Sequence, residues 1–189
     1  IDAAKSKAVV TMLADTRENV TISTPYNGLM LHASAAALGG RACLFSGPCG
    51  RGKSTHTRLW QQTFGEAVQV FNDDKPALRR LDGRWYAYGT PWCGKDGINL
   101  NQKWPLGGIC FLEKSQENRI RRLPAAEALP LILAQTTYRL QPHSMELLLA
   151  SLDSLLREIP VFLLENRPEE AAARLSFETM RRAEEEEGL

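Results

Sequence analysis

Neither sign of charge dominates this chain. Lys and Arg number 23 against 22 Asp and Glu in 189 residues, a formal net charge of +1. With no basic stripe to neutralise a phosphate backbone, nucleic acid is not an expected partner. The densest cationic stretches, Arg79-Arg80 and Arg119-Ile120-Arg121-Arg122, fit strand faces or edges instead. Long apolar runs are also lacking, so no segment reaches the roughly 20 residues that cross a bilayer. No secretory leader is visible, which leaves the Asn19-Val20-Thr21 sequon without a route to glycosylation and makes the cytoplasm the expected compartment. Cysteine is scarce: Cys43, Cys49, Cys93 and Cys110 form no C-x-x-C pair and have no histidines at zinc spacing. That argues against a structural zinc site and fits a reducing environment. Cys43 and Cys110 lie in apolar runs and read as core residues.

What is present suits one folded unit. Apolar residues at 43% and charged ones at 24% are globular values, and the length allows a single domain over residues 1–189. Residues 1–28 carry the weakest signals: Ala8–Leu13 fits strand or helix, and Thr24-Pro25-Tyr26-Asn27-Gly28 reads as a turn. Leu29–Leu38 and Arg41–Ser46 are strand-like around Gly39-Gly40, a two-residue hairpin turn. Further strands are expected at Ala67–Phe71, at Ala77–Leu81 and Arg84–Tyr88 around Asp82-Gly83, and at Gly108–Glu113, with Arg119–Leu123 as its partner. Thr90–Pro105 is a long irregular segment of the kind that often carries function. The last third is largely helical: Ala125–Tyr138, bent or interrupted at Pro130, then Ser144–Glu158, a short strand Val161–Leu164, and a helix from Pro168. Its closing Glu184–Glu187 opposes the helix dipole and reads as a fraying, solvated end. The expected fold is α/β, with a mixed, partly antiparallel sheet and a helical C-terminal third.

The chemistry gathers at Gly47-Pro48-Cys49-Gly50-Arg51-Gly52-Lys53-Ser54, a full match to G-x-x-x-x-G-K-[ST]. Glycines at 47, 50 and 52 can take positive φ and leave no Cβ in the way, so successive N–H groups can turn toward phosphate oxygens. Lys53 is placed to reach the outer phosphates of ATP, and the Ser54 hydroxyl to sit on Mg²⁺. Arg51 is either a γ-phosphate contact or an exposed loop residue. The loop follows the apolar run Ala42–Ser46 and opens a helix through Thr55 to Phe64, with Leu59, Trp60 and Phe64 on one face and Gly65 as its cap. Most nucleoside triphosphatases carry this loop on a parallel sheet; here its strand leaves a hairpin.

Three features accompany the loop. Asp73-Asp74 closes a buried strand, and two adjacent carboxylates can divide the work of phosphoryl transfer between Mg²⁺ and the attacking hydroxyl. Asp74 is assigned to the metal and Asp73 to the base, with the reverse order open; an Asn-Asp-Asp turn toward Pro76 is the bland alternative. His32 stands on the hairpin partner strand, where a Gly39-Gly40 turn sets 33 opposite 46 and brings His32 beside Gly47. It serves either the metal or phosphate charge, or is simply structural. Trp92 and Lys95 lie in Gly89-Thr90-Pro91-Trp92-Cys93-Gly94-Lys95, as a pocket wall and a contact to substrate, or as an ordinary surface loop.

In this order (His32, hairpin, Gly47–Ser54, Asp73-Asp74) the chain resembles the C-terminal kinase domain of HPr kinase/phosphorylase. It is similar, more distantly, to the nucleotide-binding part of ATP-dependent phosphoenolpyruvate carboxykinase. It looks most like small bacterial HPr-kinase-like proteins, which share Lys53–Trp60, Asn72–Pro76 and the Gly89–Lys95 pattern; the likeness spans roughly residues 28–165. The resemblance implies ATP and Mg²⁺, with His32 and Asp74 around the metal and Asp73 as general base. It implies transfer to a hydroxyl, foremost a Ser or Thr of a small protein or peptide, with a small-molecule hydroxyl next. HPr kinase forms hexamers, so a homo-oligomer is implied, without an interface. The Gly- and Arg-rich segment of the phosphorylase reaction is not found, so reversal by phosphate is not expected, nor is carboxykinase activity. A nucleotide-responsive binding module is the reading from another class. A GTPase fits poorly, because no Asn-Lys-x-Asp motif is present and the loop is followed by Asp-Asp.

Overall fold

The computed structural model describes residues 28–136 and 142–187. The turn at 24–28 therefore lies outside the described residues save for Gly28, as do the readings of residues 1–27. Nine strands are found among the described residues: β1 (Gly28–Met30), β2 (Ala33–Leu38), β3 (Arg41–Ser46), β4 (Gln69–Asp74), β5 (Ala77–Leu81), β6 (Arg84–Tyr88), β7 (Lys103–Lys114), β8 (Arg119–Arg122) and β9 (Val161–Asn166). The helices are α1 (Lys53–Phe64), α2 (Ala125–Gln135), α3 (Pro142–Glu158) and α4 (Glu170–Glu187).

The strands form one branching mixed sheet. Its main path is β1-β5-β6-β7-β3-β2-β4, and β9 joins β7 to β8. The long β7 carries the branch: its first residues, Lys103–Pro105, pair antiparallel with β6, and the remainder runs parallel to β3 and β9. A period of two sorts side chains to the two faces. Ala42 and Leu44 of β3 join Ala128 and Ile132 of α2 and Leu148, Leu152 and Leu155 of α3 in one core. Cys43 and Phe45 join Trp60 of α1 and Ala173, Met180 and Ala183 of α4 in the other. The sheet is thus a middle layer, with α1 and α4 on one side and α2 and α3 on the other. No helix among the described residues is long and apolar enough to cross a membrane.

Both hairpins have the register their turns imply, with Leu38 opposite Arg41 and Leu81 opposite Arg84. Other expectations need correction. Leu29–Leu38 is two strands, because β1 pairs with β5 while β2 pairs with β3 and β4. The strand expected at Ala67–Phe71 is shifted: a 3₁₀ turn takes Gly65–Ala67, and the ladder continues through Asp74. β7 starts at Lys103, inside the segment read as irregular, since Tyr86–Tyr88 offers it an edge. Arg119–Arg122 pairs with β9 rather than with the strand preceding it, for β9 takes the place beside β7. Pro130 does not interrupt α2; it lies on the exposed side of the helix, which continues to Gln135. The glutamate end of α4 is not wholly solvated, because Glu184 is half-buried with Arg41 at 3.7 Å. Burial raises the Glu184 carboxyl above its ordinary pKa, against the lowering effect of Arg41.

Candidate functional site

β3 ends in the buried Ser46, whose hydroxyl donates to the His32 carbonyl at 2.9 Å, and the chain then turns through the glycine-rich loop into α1. Gly47, Gly50 and Gly52 have φ of 140°, 81° and 97°, so the left-handed geometry allowed for in the sequence is adopted. Gly52 is the N-cap of α1, with no side-chain cap and no acidic residue in the first turn. The first N–H groups of the helix are therefore uncapped by the protein's own carboxylates, and the positive end of its dipole is not neutralised. Such an end receives an anion well. Lys53 folds back over the loop, its Nζ donating to the Gly47 carbonyl at 2.8 Å and the Pro48 carbonyl at 3.3 Å. Burial lowers its pKa, while Cys49, Asp73 and Asp74 act in the opposite sense. Pro48, Cys49, Gly50, Arg51 and Thr55 are exposed.

On the β2 side of β3 the carboxylates arrive by strand pairing, with Asp73 opposite Ser34 and Asp74 opposite Ala33. Asp73 is 6% exposed and held at three points. Its Oδ1 accepts from Ser54 Oγ at 2.9 Å, its N–H donates to the Ile98 carbonyl at 3.1 Å, and its carbonyl accepts from the Gly94 N–H. Asp74 is more open, with His32 Nε2 3.9 Å from its Oδ1. His32 lies one residue beyond the β2–β3 ladder, in register with Gly47 as the turn implies. Gln135 fixes it twice: the His32 N–H donates to the Gln135 carbonyl at 2.8 Å, and Nδ1 lies 3.0 Å from Oε1. Since Oε1 only accepts, Nδ1 carries the proton, and the lone pair of a neutral ring is on Nε2, toward Asp74. Two acceptors that close are suited to sharing a proton donor or a cation.

The segment between β6 and β7 is laid along β4. Asn72 Nδ2 donates to the Thr90 and Trp92 carbonyls at 3.0 Å each, and the Thr90 hydroxyl donates to the Lys75 carbonyl at 2.8 Å. Gly94 passes so near that a Cβ there would meet the Asp73 carbonyl oxygen at 2.7 Å and Oδ2 at 3.1 Å. Arg58 of α1 pairs with Asp96 at 2.6 Å and ties the segment to the loop helix. Trp92 is half-buried against Met30, Ala77 and Tyr88, and Lys95 is exposed.

On the β7 side of β3 the same loop borders a cavity of about 490 Å³. Gly52, Thr55 and His56 form one wall, and Lys114, Gln116 and Asn166, from the ends of β7 and β9, form the other.

The structure therefore brings Lys53, Ser54, Asp73, Asp74 and His32 to one end of the sheet. Trp92, expected as a pocket wall, is partly buried against Met30, Ala77 and Tyr88 of β1, β5 and β6. Asn72 and Gly94 lie inside the Asn72–Pro76 and Gly89–Lys95 patterns, but their clamping contacts show only in space, and Gln135, Lys114 and Asn166 belong to no motif. The oxygen pair of Ser54 and Asp73 is the donor chemistry a hard cation such as Mg²⁺ takes. Among the described residues no three His, Cys, Asp or Glu side chains gather as a dedicated metal cage. Mg²⁺ needs none, since it keeps waters and substrate oxygens as ligands.

The fold and this end of the sheet define a mixed α/β protein with a glycine-rich strand–loop–helix on a hairpin strand. Among solved structures it is similar to the Hpr(Ser) kinase/phosphatase from Coxiella burnetii, at 14% identity and a TM-score of 0.47, over 82% of this chain and 90% of that one. No family model and no curated protein matches the chain.

Proposed function

We propose that the protein is an ATP- and Mg²⁺-dependent phosphotransferase acting on a hydroxyl, foremost a Ser or Thr of a small protein or peptide. The observation that carries the reading is the Ser54–Asp73 hydrogen bond of 2.9 Å, which joins the loop to the carboxylate strand. The loop N–H groups and Lys53 bind the phosphates, and Lys53 exchanges its two carbonyl partners for phosphate oxygens. Ser54 and Asp73 hold Mg²⁺, which when bound neutralises developing charge on the transferring group.

The same contact favours one order of roles for the two aspartates, the reverse of that implied by the resemblance. Asp73 is buried and held at three points, which suits a fixed ligand. Asp74 is about a quarter exposed and faces His32, which suits a group that must meet an incoming hydroxyl. Asp74 is thus the base, and His32, held by Gln135, stands beside it with Nε2 3.9 Å away. Removing a general base typically costs 10²–10⁴ in rate. Asp74→Asn is expected to lower transfer from labelled ATP to a hydroxyl panel about 10³-fold with Mg·ATP affinity kept. Asp73→Asn should instead raise the Mg²⁺ concentration needed. Undiminished turnover in Asp74→Asn would overturn the assignment. Tight Mg·ATP binding without transfer to any hydroxyl would overturn the enzyme and leave a binding module.

A further inference from the structure

We infer that the acceptor is an acidic peptide, with carboxylates flanking its hydroxyl, and that Lys95, on a turn fixed beside the carboxylate strand, selects it. The inference rests on the phosphotransferase reading and names the substrate class of that site. Strand order sets the direction of approach. The glycine-rich loop leaves β3, β2 pairs with β3, and β4, with Asp73 and Asp74, pairs with β2. The outer edge of β4 is taken by the segment between β6 and β7, through the bridges Asn72–Asn99 and Asp74–Cys93. In sheet order the carboxylates thus stand between the loop that holds the donor phosphates and the turn that follows Cys93. In-line transfer brings the hydroxyl to the phosphoryl group from the side away from the leaving oxygen. The chain that bears the hydroxyl therefore reaches Asp74 over this segment.

The turn is a fixed mount. The Gly94 N–H donates to the Asp73 carbonyl, and the Gly97 N–H donates to the Gly94 carbonyl at 3.2 Å, with Lys95 and Asp96 at the turn's centre. Asp96 is neutralised by α1: Arg58 Nε and Nη2 both donate to its Oδ2, at 3.1 and 2.6 Å. Arg58 stands one helical turn after Ser54, so the helix that carries the Ser54–Asp73 contact also holds the turn. Lys95 is then the one uncompensated charge of residues 89–102, exposed and without an ion pair among the described residues. It adjoins Gly94, which lies against the Asp73 carboxylate, and its flexible stem can follow whatever is bound beside Asp74. Lys75 supplies a second cation, directly after Asp74. Its backbone is clamped by Asn72 at 3.1 Å and Thr90 at 2.8 Å, and its ammonium too has no ion pair among the described residues. Asp74 is thus bracketed by Lys75 in sequence and Lys95 in space. A bound triphosphate repels an acidic acceptor, and two lysines on the acceptor's side offset that repulsion. Charges at such a rim choose between partners more than they add affinity, and these two favour carboxylates and turn away a basic peptide.

The test gives the full chain labelled Mg·ATP and serine peptides of one length, alike except for Glu, Ala or Lys on both sides of the serine. The Glu peptide is expected to have about tenfold the kcat/KM of the Lys peptide, with the difference in KM, as for a contact that does not touch the reacting atoms. That ratio should shrink as salt is raised from about 0.05 to 0.5 M. Lys95→Gln should reduce it to about threefold, and Lys95→Glu should reverse the order of the two peptides. A reversal cannot come from misfolding, since a damaged site loses all three peptides alike. A wild type indifferent to peptide charge, or a preference that Lys95→Glu leaves in place, overturns the acidic acceptor and spares the phosphotransferase. If no peptide is phosphorylated the inference also falls. Transfer from the same ATP to small hydroxyls then keeps the phosphotransferase, and no transfer to either overturns both.

Discussion

The two flanks of β3 are built on opposite terms. On the β2/β4 flank, Asp74 apart, the polar groups of the site are committed: Asp73 to Ser54, Ile98 and Gly94, Asn72 to Thr90 and Trp92, and His32 Nδ1 to Gln135. On the β7/β9 flank the chain leaves an open cavity and an unpartnered acceptor, His56 Nδ1. One side holds its groups in position before any ligand arrives, which is how positioning lowers a barrier. The other leaves a buried acceptor unmatched beside open space. The proposed phosphotransferase would carry both on one loop.

The largest expected effect breaks the point where the flanks meet. Lys53→Ala removes the cation between them and should lower transfer about 10²–10³-fold in a labelled-ATP assay, the usual cost of losing one electrostatic donor. Next come the glycines that set the flanks apart. A Cβ on Gly89 would run into the Leu100 carbonyl, whereas one on Gly50 meets nothing within 4 Å. Gly89→Ala should therefore cost about 3 kcal/mol in urea unfolding, as overpacking against backbone does. Gly50→Ala, at φ 81°, should cost about 1 kcal/mol. Equal losses would erase the contrast.

The pH profile probes the open flank. His56 has a folded pKa of about 4 against an ordinary 6.5, so between those values the unfolded chain binds more protons. Stability is full above pH 6.5 and falls as pH drops toward 4, by up to about 3 kcal/mol. His56→Asn should flatten that portion of a pH series of unfolding midpoints. The smallest effect belongs to Arg58→Ala. Its exposed pair with Asp96 is worth under about 1 kcal/mol, yet its loss should speed amide exchange at residues 94–98 while β4 is unchanged.

The committed flank was much the more legible in the sequence. Gly39-Gly40 set the β2–β3 register, and with it the place of His32 beside Gly47, because a two-residue turn leaves no freedom. The loop announced itself through residue types that only its backbone geometry explains. Asp73 and Asp74 were recognisable as a pair, but not which of them meets Ser54, since alternation along a strand shows faces and not hydrogen-bond partners. The open flank left little trace. It is made where the ends of β7 and β9 meet α1, and parallel strands are paired by long connections that no local pattern encodes. The place of β8 beside β9 was missed although that pair is antiparallel, because two helices separate the strands in sequence.

The branch at β7 bears on how the protein is made. β2 and β3 can close their hairpin as soon as residue 46 exists, but β3 gains its second neighbour only when Lys103–Lys114 has been synthesised. β9 follows some fifty residues later still. Distant pairings of this kind slow folding, because the loop entropy is lost before the contacts repay it. A nascent chain would therefore display the glycine-rich loop long before it stood on a complete sheet. On a ribosome, the loop's finished setting should arrive late and abruptly, with the last parallel strand.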